Sequence, residues 1–351
     1  MSASTRYREI EVRGTPRQMG EQLGEEARDE IRGFDAVALE RVNLTVAVSE
    51  ESALAVAADS IGRVAGYAPE MLEELDGMAA SSGVPAERLM LLQIRNQLRP
   101  DDGGCTSFAL SQPAAAGTFV GQNWDNDPEL DPYTIVLTRR PEGEPAFMSI
   151  TQAGLVAYIG VSDAGIGICM NTLPAPCRPL GVPHYFTVRG MYGAGTLGDA
   201  LEAVRRAERA IPANVILAAP DGLADFEITI GDVHVIGDDG SGIVTHTNHC
   251  VHPDLAPVNA DFPELIQSGP RKCRVDELLR RAPRPLTEAS LREVLSDHDG
   301  HPHSICRHAN DHPDNGYWIS VFSVIIDVGA CRMQVSRGNP CEAPYETYHL
   351  N

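Results

Sequence analysis

The pentapeptide GGCTS, residues 103–107, stands where the sequence changes from helical to strand-like patterns. Upstream of it, apolar residues recur with the spacing of amphipathic helices. Downstream, short apolar or alternating runs are separated by Gly, Pro, Asn and Asp, which is typical of strands joined by turns. Helices followed by strands, without regular alternation of the two, predict an α+β fold with mostly antiparallel sheet.

The upstream segment is predicted to be almost entirely helical after a short strand at REIEVRG, residues 8–14. Thr15-Pro16-Arg17-Gln18 has the spacing of a capping box with proline at the first helical position, and helix-favouring sequence continues to residue 42. Three further helices are predicted near residues 50–65, from Pro69 and after Pro85. The polar stretch LRPDDGG, residues 98–104, ends this segment without a long linker.

Strand-like runs dominate the chain after Cys105, with three helices between them. The runs are TSFAL (106–110), TFVGQ (118–122), YTIVLTR (133–139), AFMSITQ (146–152), LVAYIGV (155–161), GIGICM (165–170), NVILAAP (214–220), ADFEITI (224–230), DVHVIG (232–237), WISVFSVIIDV (318–328) and CRMQVSRG (331–338). The helices are predicted at residues 196–210, where Thr196 is a suitable N-cap, and near 270–281 and 287–296.

Composition limits the classes of protein that this chain can be. Its 351 residues are 43% hydrophobic and 22% charged, which predicts an ordinary folded globular protein. A net charge of −21 opposes binding to phosphate backbones, so no nucleic-acid partner is expected. The N-terminus lacks an apolar signal segment and no run is long enough to span a membrane, which favours a cytoplasmic protein. The eight cysteines are widely dispersed, so reduced thiols are expected.

Cys105 is a candidate nucleophile that needs a base, because a free thiol is only slightly ionised at neutral pH. A papain-like site would use a histidine, but no spacing selects one of the eleven histidines. Alternatively, cleavage of the Gly104–Cys105 bond would free an α-amine that takes the thiol proton. The two glycines suit that scheme because they tolerate strained backbone. From these residues alone, a buried structural cysteine also remains open.

Further motifs distinguish between these interpretations of Cys105. GGCTS, GQNWD (121–125), THTNHC (245–250) and SICR (304–307), together with the opening helix GTPRQMGEQLGEEA (14–27), resemble in order and spacing the penicillin acyltransferase family of N-terminal-nucleophile hydrolases. The resemblance covers nearly the whole chain. It implies a single four-layer αββα domain of two antiparallel sheets covered by helices. It also implies self-cleavage into an α-chain of residues 1–104 and a β-chain of residues 105–351.

The resemblance assigns roles to individual residues. Cys105 matches the nucleophile, and Asp125 of GQNWD matches the acidic residue that orients the freed amine. Asn248 of THTNHC matches the amide that stabilises the oxyanion, and Arg307 of SICR matches an arginine that lowers the thiol pKa or holds Asp125 or substrate. Gln122 stands where related bile-salt and penicillin V hydrolases carry arginine, which moves the resemblance toward the acyltransferase branch. Turn-forming Asp and Asn and a surface Arg are the alternatives.

The expected activity is cleavage or transfer of the acyl group of a small amide or thioester through an acyl-Cys105 intermediate, with hydrolysis favoured. Acyl-CoA-dependent N-acyl transfer is the main alternative, and an uncleaved binding protein is another. The expected partners are the substrate and the chain's own two fragments.

No cofactor or metal is predicted. The histidine-rich stretches HTNHCVH (246–252) and DHDGHPHSICRHANDH (297–312) raise the alternative of a zinc hydrolase. However, paired CxxC spacing is missing, and proline and glycine interrupt the helix that would align the histidines. No dinucleotide or P-loop glycine motif occurs, so nucleotide binding is not supported.

Overall fold

A computed structural model describes residues 5–44, 46–98, 103–113, 117–313 and 315–351. The helices are α1 (Pro16–Glu26), α2 (Arg28–Val42), α3 (Glu50–Tyr67), α4 (Pro69–Ser82), α5 (Ala86–Leu98), α6 (His184–Tyr192), α7 (Leu197–Arg205), α8 (Ser268–Arg281) and α9 (Glu288–Leu295). The strands are β1 (Glu9–Gly14), β2 (Gly104–Ser111), β3 (Thr118–Asn126), β4 (Thr134–Pro141), β5 (Phe147–Gln152), β6 (Ile159–Ser162), β7 (Gly167–Asn171), β8 (Ala213–Ala219), β9 (Gly222–Ile228), β10 (Val233–Gly237), β11 (Ile243–His246), β12 (Ile319–Asp327), β13 (Arg332–Arg337) and β14 (Tyr345–His349).

The predicted capping signals are confirmed. Thr15 caps α1 through a complete capping box, and the Thr196 side chain accepts the Asp199 N–H at the start of α7. The helix predicted from Pro16 to residue 42 is interrupted at Ala27, so α1 and α2 are separate. α1 lies very close to α4, where a Cβ on Gly20 would clash with the Glu74 carbonyl oxygen. This close approach depends on glycine in α1.

The strands form two sheets, as the family resemblance implies. The large sheet has the order β1-β4-β5-β6-β7-β8-β9-β10, and the small sheet has the order β11-β2-β3-β12-β13-β14. β1 pairs with β4 in parallel, whereas the other pairs between these strands are antiparallel. The prediction of mostly antiparallel sheet is therefore confirmed.

The two sheets stack face to face and carry helices on their outer sides. β2 and β3 of the small sheet pack on β7 and β8 of the large sheet, and the interior strands β5 to β8 are buried along their whole length. Helices α1 and α7 cover the large sheet, while α8 and α9 cover the small one. The predicted four-layer αββα fold is confirmed by this arrangement.

Residues on both sides of Cys105 share the main core. β1 from the upstream segment pairs with β4, and the Tyr7 hydroxyl donates to Asp131 at 2.7 Å. Buried residues of the upstream helices, among them Leu23 and Phe34, belong to the same core as residues after Cys105.

The sequence did not predict α6, β11 or β14, and only Ile159–Ser162 of the run LVAYIGV is strand. In the described part of the chain, no helix combines the length and apolar character that crossing a membrane requires.

Candidate active site

Cys105 is the second residue of β2, and its side chain is buried in the main core. Its backbone N–H donates to Asn248 Oδ1 at 2.8 Å, and its carbonyl oxygen accepts from Arg271 Nη1 at 2.6 Å. Burial and, to a smaller extent, the charge of Asp125 raise the pKa of the thiol to about 12, although Arg271, the Gln122 amide and the Asp125 backbone N–H oppose this rise. In this environment the thiol is protonated at neutral pH and needs a base nearby.

Asp125 lies in β3 directly opposite Gly104 in the antiparallel register. Its Oδ1 accepts from the Ser320 hydroxyl at 2.6 Å, while its Oδ2 is buried without a hydrogen-bond partner among the described residues. That second oxygen would be 3.7 Å from a Cβ placed on Gly104. Burial raises the pKa of the carboxyl group to about 6, against the opposing charges of Arg271 and Arg307. A carboxylate that can exchange a proton near neutral pH therefore faces the predicted cleavage point.

Asn248 follows β11, whose pairing with β2 brings it beside Cys105. Its Oδ1 accepts from both the Cys105 N–H and Arg271 Nη2, the latter at 2.9 Å. Its Nδ2 donates to the Thr172 carbonyl oxygen at 2.9 Å. These partners orient the amide oxygen, rather than the amide nitrogen, toward the Cys105 nitrogen. The predicted role of Asn248 as an oxyanion donor stays a prediction.

Arg271 is the residue that the sequence analysis missed. It lies in the first turn of α8, is fully buried, and also donates to Thr106 Oγ1 at 3.0 Å. The signal was present, because Arg271, Val275 and Leu279 occupy one stripe of α8 at helical spacing and all three are buried. An arginine on the apolar stripe of an amphipathic helix indicates a buried polar partner.

Arg307 is buried near Asp125 but does not contact Cys105 directly. Its Nη2 donates to Asn315 O and Oδ1 at 2.9 and 3.0 Å, whereas Nε and Nη1 lack hydrogen-bond partners in the described ranges. Its backbone N–H donates to the Ser320 hydroxyl at 3.0 Å, and that hydroxyl in turn donates to Asp125. Arg271 lowers the thiol pKa. The predicted role of Arg307 stays a prediction. We call Cys105, Asp125, Asn248 and Arg271 the Cys105 cluster.

The backbone around Cys105 has the unusual conformations that the glycines suggest. Gly103 has φ +95°, which a residue with a side chain rarely adopts. A Cβ on Gly104 would lie 2.7 Å from Ile266 Cδ1. Ile266 and Gln267, which precede α8, have φ +50° and +49°. Ile266 and Gln267 are strained because they carry side chains at positive φ, and Ile266 adjoins Gly104. Such strain is common at functional sites.

A cavity next to this cluster is very small. It encloses about 20 Å³ and is lined by Thr172, Asn171 and His184, together with Asn96 of α5. This space holds roughly one water molecule and no acyl chain. Asn96 of α5, the helix before the predicted cleavage point, therefore forms part of the wall of this cavity.

A second buried polar group lies deeper between the sheets, and we call it the Asp225 cluster. Asn171 Nδ2 donates to Asn214 Oδ1 at 2.6 Å, and Asn214 Nδ2 donates to Asp225 Oδ1. Nε2 of His246 lies 3.0 Å from Glu227 Oε1 and 4.0 Å from Asp225 Oδ2. Burial raises the pKa of Asp225 to about 6. His246, the first of the two histidines in the THTNHC motif, belongs to this cluster, and its ring contacts Glu227 rather than Cys105.

Comparison with known proteins found the same family that the motifs resemble. A model of the family described as acyl-coenzyme A:6-aminopenicillanic acid acyl-transferase matches residues 114–342. The chain belongs to this family. The acyl-coenzyme A:6-aminopenicillanic-acid-acyltransferase 40 kDa form of Emericella nidulans is 25% identical over 287 residues, which cover 80% of this chain and 78% of that protein. The predicted resemblance is thereby confirmed.

Two solved structures are similar to this chain at low identity. Penicillin V acylase from Agrobacterium tumefaciens is 11% identical, with a TM-score of 0.47 over 70% of this chain and 86% of its own. A variant of conjugated bile acid hydrolase from Clostridium perfringens is 9% identical, with a TM-score of 0.47 over 70% of this chain and 97% of its own.

The range matched by the acyltransferase family model contains Asp125, Asn248, Arg271 and Arg307 but begins after Cys105. The nucleophile assignment therefore depends on the geometry around Cys105. The prediction that the chain needs no metal is untested, and four residues with ligand-type side chains that meet near Arg307 are considered below.

Proposed function

We propose that this acyltransferase-family chain cleaves its own Gly104–Cys105 bond and then hydrolyses or transfers the acyl group of a small amide or thioester through Cys105. One observation carries the proposal: polar groups flank both sides of that peptide link. Asn248 Oδ1 holds the Cys105 N–H at 2.8 Å, and the unpartnered Asp125 Oδ2 faces Gly104 within the described structure. The nitrogen that would become the α-amine is thus already bound and oriented.

In the processing step, the Cys105 sulfur attacks the Gly104 carbonyl carbon. The thiol proton passes to Asp125, whose pKa of about 6 suits a proton acceptor at neutral pH. The C–N bond then breaks, the Cys105 nitrogen takes up the proton, and a thioester joins Gly104 to the sulfur. Water hydrolyses that thioester, which leaves a carboxylate on Gly104 and a free thiol and α-amine on Cys105.

In turnover, the α-amine of Cys105 takes the thiol proton and the sulfur attacks the substrate carbonyl. The leaving amine or thiol departs with that proton, and the acyl group remains as a thioester on Cys105. Arg271, which lies against the Cys105 carbonyl and Asn248, keeps the positive potential that favours the thiolate. The small cavity beside Thr172 must open before an acyl chain enters, so release of the cut end near α5 is expected to precede turnover.

Hydrolysis is the default fate of the acyl group, since an acceptor must compete with water at about 55 M in a well-oriented site. Acyl-CoA-dependent N-acyl transfer is the second candidate. It is favoured by the name of the Emericella nidulans relative, an acyl-coenzyme A:6-aminopenicillanic-acid-acyltransferase.

Intact-mass measurement of the purified protein tests the processing step. We expect wild type to yield fragments that end at Gly104 and begin at Cys105, whereas Cys105→Ala remains one chain. Cys169→Ala is the matched control, because Cys169 is also fully buried but lies in β7. The control is expected to process like wild type. Active wild-type protein with an intact Gly104–Cys105 bond would contradict the proposal.

A second measurement follows the acyl group. The processed protein is mixed with acyl amides, short peptides and acyl-CoA thioesters, and the fragment beginning at Cys105 is examined for added acyl mass. An adduct that disappears in water indicates hydrolysis, and one that disappears only with an added amine indicates transfer. A protein that binds these compounds but never cleaves itself or forms an adduct is a binding protein, and the enzymatic proposal is then wrong.

A further inference from the structure

Four side chains with metal-binding atoms meet outside the Cys105 cluster. They are His298, Cys306, His308 and Cys341, and one ligand atom from each lies within 4.8 Å of all the others. Cys306 is buried, His308 is half-buried, and His298 and Cys341 are exposed. We call this group the His2Cys2 cluster. The cysteines are 35 residues apart in the sequence, which is why their spacing did not predict a metal site.

The distances within the His2Cys2 cluster match a tetrahedron. Zinc binds Cys sulfur at about 2.3 Å and His nitrogen at about 2.0–2.1 Å, so tetrahedral neighbours lie roughly 3.3–3.8 Å apart. The Cys306 and Cys341 sulfurs are 3.7 Å apart, and His308 Nε2 is 3.7 and 3.3 Å from them. The two Nε2 atoms of His298 and His308 are 3.0 Å apart. One ion at the centre would reach all four atoms after small shifts.

The cluster joins two parts of the chain that have little regular structure. His298, Cys306 and His308 belong to residues 296–318 between α9 and β12, a segment without a helix or strand wherever it is described. Cys341 lies in the connection between β13 and β14. Irregular segments longer than about 12–15 residues are uncommon in compact domains, and a cross-link that closes a long loop stabilises it. A bound ion would supply that cross-link.

From this geometry we propose that the His2Cys2 cluster is a structural Zn²⁺ site. Two thiolates and two neutral imidazoles form a donor set that suits zinc, and they balance the charge of the ion. Four protein ligands leave no open position for water or substrate, which is typical of structural rather than catalytic zinc. The proposal does not depend on the proposed function.

Neighbouring contacts support the ligands. Asn339 Nδ2 lies 3.6 Å from Cys306 Sγ, in position to donate to a thiolate, and 2.6 Å from the Arg307 carbonyl oxygen. Such outer contacts orient metal ligands and commonly change metal affinity by about 10- to 100-fold. Arg307 follows Cys306 in the chain, and its N–H donates to the Ser320 hydroxyl, which in turn donates to Asp125. A bound ion would therefore also restrict the backbone that holds the hydrogen-bond partner of Asp125.

A second group, His234, His252 and Asp254, provides a comparison. It offers three ligand atoms instead of four, contains no thiol, and is half-buried or exposed. We assign it no metal, and it supplies a control histidine for the test.

The first test measures metal in protein purified from zinc-supplemented cells without chelator. We expect about one zinc per chain in wild type, as a single closed site requires, and loss of that zinc in Cys341→Ser and His298→Gln. Both residues are exposed, so these variants are expected to fold. Cys273→Ser, which changes another exposed cysteine, and His234→Gln are matched controls and should retain the zinc. Equal zinc content in Cys341→Ser and Cys273→Ser would overturn the assignment.

The second test needs no variant. Replacing zinc by Co²⁺ in wild type should produce the intense visible absorption of tetrahedral cobalt and a thiolate charge-transfer band. Removing the metal with a strong chelator should lower the thermal midpoint of wild type but leave that of Cys341→Ser unchanged. A disulfide between Cys306 and Cys341, found by mass measurement of unreduced protein, would contradict the proposal. Two free thiols with no bound metal would contradict it equally.

Discussion

The Cys105 cluster and the Asp225 cluster are two buried polar groups that differ in what lies next to their aspartate. Each contains a fully buried aspartate whose pKa burial raises to about 6, and each aspartate has one oxygen without a hydrogen-bond partner among the described residues. Asp225 Oδ2 faces the His246 ring at 4.0 Å, whereas Asp125 Oδ2 faces the backbone of Gly104. Only Asp125 therefore lies beside both a thiol and the peptide bond that the thiol would attack.

This difference shows that a shifted pKa does not by itself identify a catalytic group. Burial raises both pKa values because an isolated charge is poorly solvated between two sheets. A functional assignment needs a reacting atom next to the titrating group. In the Asp225 cluster, the Asn214 amide donates to the carboxylate and the His246 ring faces it, which is typical of a buried structural network.

The largest effect is expected from changing the two aspartates separately. Asp125→Asn removes the proton acceptor but keeps the size of the side chain, so cleavage of newly synthesised precursor should slow by about 10²- to 10⁴-fold. Asp225→Asn is the matched control, because it removes an equally buried carboxylate with a similar pKa. Its processing rate should equal that of wild type.

The rates are measured by following precursor from cell-free translation on denaturing gels. If Asp225→Asn slows processing as much as Asp125→Asn does, the two clusters do not differ in function and the comparison fails. Circular dichroism of both variants checks that they fold.

A smaller effect is expected from the two arginines. Arg271→Lys keeps the charge but cannot donate at once to Cys105 O, Thr106 and Asn248, so processing should slow by about 10- to 100-fold. Arg307→Lys should slow it less, because Lys keeps both the backbone N–H that donates to Ser320 and the positive charge that acts on Asp125. The pH at which Cys105 reacts with a thiol reagent provides a further readout, and it should rise in Arg271→Lys. If Arg307→Lys slows processing more than Arg271→Lys does, the arginine that lowers the thiol pKa is Arg307, as the SICR motif predicted.

A change of pH near 6 gives the smallest expected effect in wild type, because the rate is about half-maximal where the pH equals the pKa of Asp125. Asp125 must be ionised to accept a proton, and its pKa is raised to about 6. The rate should therefore rise with pH up to about 6 and then level off, and it should fall by about tenfold per unit below that value. This slope should vanish in Asp125→Asn and persist in Asp225→Asn. A wild-type rate that is independent of pH between about 4 and about 6 would exclude Asp125 as the base.

The free energy of unfolding should depend on pH in the opposite direction to the processing rate. Both aspartates have folded pKa values above the unfolded value of about 3.9, so the folded chain holds more protons between these values. The free energy of unfolding should therefore decrease as pH rises through this window, and each Asn variant should reduce that slope. Urea titrations across the window measure it.

Much of the fold was predictable because its signals are local. The Thr15 capping box, the Thr196 N-cap and the alternation of strands after Cys105 each depend on a few neighbouring residues. The missed elements have weaker local signals: α6 begins after proline without a side-chain cap, and β14 is only partly buried along its length. The break at Ala27 follows no proline or glycine at that position, so local sequence did not indicate it.

The candidate site was predicted only in part. The motifs supplied Cys105, Asp125, Asn248 and Arg307, and the structure brings the first three into one cluster. Arg271 was missed because it belongs to none of the motifs, although its place on the apolar stripe of α8 was a usable signal. The stretch 297–312, which the sequence analysis considered for zinc, contains His298, Cys306 and His308. Cys341 was not added to them because it lies 33 residues beyond His308, in another loop.

The sequence by itself determined where most of the helices and strands form, that Gly103 and Gly104 precede a candidate nucleophile, and which family the motifs resemble. Only the tertiary structure decided what surrounds that nucleophile. Asn248 and Arg271 reach Cys105 across 143 and 166 residues of chain. The physical reason is that periodicity and capping act over one or two turns, whereas burial, charge and ligand geometry arise from residues that meet only when the sheets stack.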